Sequence, residues 1–111
     1  MVKAPKAHRG EVYLVDLDPT RGSEIKKARP CLVVSPDELN DNSRTLIVAP
    51  LTTGSHSYPF RVLCEFQDKR GHIVLDQIRA VDKERLVRRL GVLSPRELEK
   101  SLVILQEMFS L

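Results

Sequence analysis

Between Gly22 and Pro30 the chain reads GSEIKKARP, which gathers Glu24, Lys26, Lys27 and Arg29 into one short polar segment. Apolar, strand-like runs flank it, so it reads as a loop on a rigid scaffold, where functional groups concentrate. A guanidinium clamps a phosphate bidentately and keeps its charge, which makes Arg29 beside Glu24 a candidate phosphate site. The same charges also suit a solvated surface loop, because exposed ion pairs are common and weak. A second polar segment, LTTGSHSYP over 51–59, supplies Thr52, Thr53, Ser55 and His56. A threonine hydroxyl donates to a phosphoryl oxygen. Together Arg29 and Thr52 suit a pentacoordinate phosphorane, in which charge builds on the equatorial oxygens. RNA brings its own nucleophile, the 2′-OH, so its cleavage needs positioning, charge stabilisation and proton transfer. Phosphate binding without catalysis fits the same residues.

Other chemistries find less support. His8, His56 and His72 are scattered, and none pairs with a Cys or His at ligand spacing. The phosphate-loop patterns GxxxxGK[ST] and GxGxxG are missing, as are GxSxG and a Cys–His arrangement for acyl transfer. The two cysteines, Cys31 and Cys64, lack redox or metal spacing, and Cys31 in its apolar run reads as a small buried hydrophobe. The net charge of +3 is compatible with a nucleic-acid partner without requiring one. Its basic residues cluster at Arg21/Lys26/Lys27/Arg29, Lys69/Arg70 and Arg85/Arg88/Arg89. The opening MVKAPKAHRG has no apolar stretch long enough for a signal peptide, and no run of about 18 apolar residues occurs. A soluble, cytoplasmic protein is expected.

The elements that must position these groups are mostly strands. The 111 residues suggest one domain, with residues 1–9 as a flexible basic lead-in and 10–111 as the folded unit. EVYLVD from Glu11 reads as a strand, with Val12 and Leu14 on one face and Tyr13 and Val15 on the other. A connection over 17–29 follows. CLVVS (31–35) reads as a buried strand and TLIVA (45–49) as the next, with turns at Pro36 and Asp41–Ser43. FRVLCEF puts Phe60, Val62, Cys64 and Phe66 on one face, and a turn over Asp68–Gly71 leads back into HIVLDQIRAV as a hairpin. A short helical turn is expected near Asp82–Arg85. Ser94, Pro95 and Glu97 form a helix start with a capping box and Pro at the first helical position. Leu98, Leu102, Leu105 and Phe109 then form one apolar stripe that reads as core packing. This pattern predicts a mainly β, α+β domain: a small barrel or sandwich-like sheet with helices appended. Both polar loops would lie at one end of it.

Three segments in this order, RGEVYLVDLDPTRGSEIKKARPCLVVSP, LIVAPLTTGSHSYPF and LDQIRAVDKERL, resemble the MazF/PemK toxins of bacterial toxin–antitoxin systems. The resemblance spans about residues 9 to 109. It implies a small SH3-like antiparallel barrel with a C-terminal helix, acting as a homodimer. It also implies a sequence-specific endoribonuclease without metal or cofactor, which cuts single-stranded RNA to a 2′,3′-cyclic phosphate and a 5′-OH. A cognate antitoxin with an acidic, disordered tail would hold it inactive by covering the 17–29 loop and the basic clusters.

Carried onto this sequence, the catalytic arginine before proline is Arg29, the catalytic threonine is Thr52, and the loop glutamate, orienting Arg29 or tuning the site, is Glu24. Substrate contacts fall on Lys26, Lys27, Thr53, His56, Gln77 of the DQ pair and Arg79. An arginine is a poor general base near neutral pH. Arg29 therefore reads as phosphate clamp and acid for the departing 5′-oxygen, with Glu24 and a transiently neutral Arg29 both open as the base.

Two rivals share the fold. A gyrase-poisoning toxin of this class acts through a tail tryptophan, whereas this chain ends EMFSL and has no Trp. A non-catalytic RNA-binding barrel favours exposed aromatic platforms, and only two Tyr and three Phe are present. For the dimer, the apolar stretch from Ile73 to Val81 and part of the C-terminal helix are the expected contact surfaces.

Overall fold

The computed structural model describes residues 6–53 and 58–111. The strands are β1 (Glu11–Asp16), β2 (Ala28–Val33), β3 (Thr45–Thr53), β4 (Arg61–Phe66), β5 (Lys69–Val74), β6 (Arg79–Asp82) and β7 (Leu86–Val92). Helix α1 spans Asp37–Asn42, α2 spans Pro95–Met108, and 3₁₀ turns cover Leu75–Gln77 and Lys83–Arg85. All pairings are antiparallel, in the order β4-β5-β3-β2-β1-β7, with β6 also on β3. The fold is thus mainly β and barrel-like. The ladder stays open between β4 and β7, but the gap is bridged: Gln67 Nε2 donates to Leu90 O at 3.2 Å, and a Cβ at Gly91 would touch the Phe66 ring at 3.3 Å.

Alternation along the central strands sorts side chains into two cores. Tyr13, Val15, Cys31, Val33, Leu46 and Val48 join one cluster, which Val81 and Leu86 complete. Val12, Leu32, Val34, Ala49 and Leu51 point the other way, toward Ile73 and α2. Helix α2 begins as its sequence predicts. Ser94 Oγ accepts from Glu97 N at 3.2 Å and donates to Glu97 Oε1 at 2.9 Å. Glu97 Oε2 also accepts from Glu65 N at 2.9 Å, which ties the helix to β4.

Several expectations shift. Strand β2 begins at Ala28, so Arg29 is a strand residue rather than a loop residue. Strand β3 continues through Pro50 to Thr53, because it exchanges β6 for β5 there, and a residue without N–H suits a break in the ladder. The β4–β5 turn is Gln67–Asp68, both at positive φ (51° and 62°), the geometry that two-residue hairpins prefer. Gly71 instead lies inside β5. Phe60 is 40% exposed before β4, and Phe109 is 72% exposed at the end of α2. The inward stripe of α2 runs through Leu98, Ile104, Leu105 and Met108. Helix α1 occupies the expected turn region, with Asn40 buried against Ser35. The lead-in is packed where it is described: Ala7 lies in the core, and Arg9 Nε donates to Val34 O at 2.9 Å. Ile73, Val74, Leu75 and Val81, expected at a dimer contact, are buried within the chain itself.

Candidate active site

Two clefts meet along β3. The smaller, of about 200 Å³, is lined by Arg29, Pro30, Leu51, Thr52, Thr53 and Gly71, together with the β4–β5 hairpin. The register Cys31↔Pro50, continued outward, brings Arg29 across from Thr52. Arg29 is exposed, and its Nε donates to Lys26 O at 3.2 Å. Thr52 Oγ1 is shielded from solvent and has no hydrogen-bond partner among the described residues. Behind it the backbones of β3 and β5 are in close contact. A Cβ added at Gly71 would sit 1.8 Å from the Thr52 carbonyl oxygen, so only glycine permits this approach.

The larger cleft, of about 400 Å³, is lined by Glu24, Ile25, Pro50, Asp76, Gln77 and Arg79, among others. Its loop is fastened from several sides. Leu17 N donates to Lys27 O at 3.0 Å, Ile25 N to Gln77 Oε1 at 2.9 Å, and Arg79 Nη1 to Leu17 O at 3.0 Å. Arg85 Nη1 donates to the carbonyls of Asp16 and Asp18. Asp76, beside Gln77, receives two hydrogen bonds from Arg61, from Nε at 3.0 Å and Nη2 at 3.1 Å. These hydrogen bonds hold its carboxyl below the usual carboxylate range. The Tyr58 ring lies 4.7 Å from the Arg61 guanidinium carbon.

The structure therefore brings Arg29, Thr52 and Thr53 to one cavity and Glu24, Gln77 and Arg79 to the neighbouring one. Glu24 accepts from Arg21 N within its own loop rather than from Arg29. Lys26 and Lys27 are exposed on the connecting loop. His56 lies outside the described residues. Sequence reasoning missed Cys64, Phe66, Gln67 and Lys69, which also line the smaller cavity. Alternation marked Cys64 and Phe66 as inward-facing, but no local signal showed that the hairpin tip reaches Arg29. Burial pushes the Cys64 thiol up to about 11, which keeps it neutral and a poor nucleophile near pH 7. Among the described residues no group of three His, Cys, Asp or Glu side chains is arranged to hold a metal ion, and no helix is long and apolar enough to cross a membrane.

Residues 8–109 match the model of the PemK-like, MazF-like toxins of type II toxin–antitoxin systems. The chain belongs to this family. It is 35% identical over 91 residues to the endoribonuclease toxin MazF of Escherichia coli K12, covering 81% of this chain and 82% of that protein. To the endoribonuclease MazF of Staphylococcus epidermidis it is 40% identical over 92 residues, covering 78% and 77%. The fold matches a crystal structure of MazF from Deinococcus radiodurans with a TM-score of 0.85, at 23% identity and over 96% and 99% of the two chains. A mycobacterial endoribonuclease in complex with its cognate antitoxin matches with a TM-score of 0.76, at 27% identity over 91% and 92%.

Proposed function

We propose that this protein cuts single-stranded RNA at the Arg29–Thr52 cavity by 2′-OH attack, without a metal ion. The chain is an endoribonuclease by its family and by curated relatives at 35% and 40% identity over most of its length. The observation that carries the assignment of the site is the shared cavity, which joins an exposed guanidinium to a hydroxyl with no partner among the described residues.

In the reaction the substrate's 2′-oxygen bonds to the adjacent phosphorus and the P–O5′ bond breaks. The products are a 2′,3′-cyclic phosphate and a 5′-OH end. Arg29 clamps the phosphoryl oxygens and protonates the departing 5′-oxygen. Thr52 Oγ1 donates to an oxygen whose charge grows in the phosphorane. The 2′-OH proton passes to a base, for which Glu24 in the adjoining cleft and a transiently neutral Arg29 are the candidates. Thr53 lies beside the scissile group. Gln77 and Arg79 hold the larger cleft in shape and present it to neighbouring nucleotides, while Lys26 and Lys27 meet the RNA along their loop and His56 is a further substrate contact.

Residues 10–111 form the single toxin domain, which acts in the cytoplasm as a homodimer. A cognate antitoxin is its regulator, and an acidic, disordered tail would complement the chain's +3 charge. That tail should protect Lys26, Lys27 and Arg29 from chemical labelling in the complex. An inhibitory partner that leaves all three labelled would contradict this mode of inhibition.

Arg29→Ala should abolish cleavage while the melting temperature stays close to the wild-type value, since an exposed guanidinium contributes little packing. Arg29→Lys should also be severely impaired, because a point charge cannot reproduce the planar two-pronged clamp. Near-normal cleavage by either variant would remove Arg29 from the mechanism.

A further inference from the structure

The cavity shared by Arg29 and Thr52 offers more than the reaction uses. Leu51 and Cys64 on its lining are buried, and Pro30 and Phe66 are half-buried. With the Cys64 thiol pushed up to about 11, this apolar lining bears no charge near neutral pH. The exposed Lys69 and Arg29 add two cations at the same cavity. At about 200 Å³, the space falls below the roughly 300–1,000 Å³ of pockets for drug-sized ligands and suits one planar ring system. An apolar slot beside two cations matches a flat base carried on a phosphodiester chain.

Gln67, at the hairpin tip, lines this cavity, and its amide orientation is fixed. Its Nε2 donates to Leu90 O at 3.2 Å, and a carbonyl partner determines which end of the amide is nitrogen. Oε1 therefore stands as an acceptor, and it accepts no hydrogen bond among the described residues.

We propose that this cavity seats one nucleobase beside the scissile phosphate and that Gln67 Oε1 reads its exocyclic amino group. The proposal rests on the RNA-cleaving reading above. The ring lies against Pro30, Leu51, Cys64 and Phe66, while Arg29 and Lys69 hold the phosphates on either side of it. A lone acceptor favours cytosine, adenine or guanine, each of which carries an amino group. Uracil offers it only N3–H, flanked by two repelling carbonyl oxygens.

The test begins with a natural RNA, on which the wild-type protein defines its preferred cut site. Short RNAs carrying that site then receive, one position at a time, a nucleoside without the amino group: purine riboside for adenosine, inosine for guanosine, or 2-pyrimidinone riboside for cytidine. At one position beside the cut, the loss should slow the wild type about 10- to 100-fold. Gln67→Leu should cut the two RNAs at that position at equal rates, and Gln67→Met, which keeps the side-chain length without a carbonyl oxygen, should do the same. A purely structural role for Gln67 would slow both RNAs equally and preserve their ratio, which would overturn the proposal. Discrimination that persists in Gln67→Met would overturn it too, and this variant also decides the matter should Gln67→Leu fail to fold. A wild-type protein that cuts RNA without amino dependence beside the cut refutes the base-reading alone. One that cuts no RNA refutes the functional reading beneath it.

Discussion

The Thr52 hydroxyl is shielded from solvent without a partner among the described residues, a state that costs about 1–3 kcal/mol. That cost makes sense at a position where a phosphoryl oxygen becomes the partner in the transition state. Thr52→Val keeps the shape and removes this oxygen. It should leave the protein as stable as wild type or slightly more so, while kcat falls about 10²–10³-fold. Thermal melts and single-turnover kinetics on one RNA report both quantities. A clear loss of stability with unchanged kcat would assign the hydroxyl to the fold instead. At this scale Arg29, Thr52 and Thr53 were legible as candidates by residue type and motif, though as loop residues; it is strands β2 and β3 that carry them and set Arg29 across from Thr52. Gln67 was not, since its place beside Arg29 depends on how far the β4–β5 hairpin curls toward β7. Glu24 was legible as a loop acid, but its hydrogen bond to Arg21 N is a local detail of loop conformation that its residue type does not dictate.

Among the elements, the strands with clean alternation and the capped α2 could be read directly. Strand β7 could not. LVRRLGV carries Arg88 and Arg89 in its middle, exposes Val87 and Val92, and pairs with β1 through register shifts, so its period is broken. Helix α1 has only six residues, too short for a helical period to emerge. A glycine after Asp68-Lys69-Arg70 suggests a turn, but Gly71 lies inside β5 and lets that strand approach the carbonyl of Thr52. Gly71→Ala would place a methyl 1.8 Å from that oxygen, and the strands must part to relieve it. Overpacking of this kind costs about 1–3 kcal/mol or more, and here the displaced residue is the proposed hydroxyl donor. The variant should melt lower and, assayed well below its transition, cut RNA at least tenfold more slowly. Unchanged melting and activity would show that the β3–β5 contact does not position the site.

Across the whole molecule, the apolar stretch from Ile73 turns inward and leaves Ile78 half-buried, on the same groove as Leu102, Leu105 and Phe109 of α2. With Val34 and Ile47 these residues line a groove of about 450 Å³, which is where a two-fold contact would reuse one patch twice. Sedimentation at micromolar concentration should give one species near twice 12.6 kDa, and Phe109→Glu should shift it toward monomer. A monomer that cuts RNA at the wild-type rate would make dimerisation dispensable. The central claim is that this chain's own side chains suffice to cleave RNA. The most direct measurement incubates purified protein with a long single-stranded RNA in excess EDTA and maps the ends by primer extension and end-group analysis. Cleavage at defined sites, with 2′,3′-cyclic phosphate and 5′-OH ends and no cleavage by Arg29→Ala, is the predicted result. Cleavage that stops in EDTA and returns with a divalent cation, or that leaves 5′-phosphate ends, would contradict it.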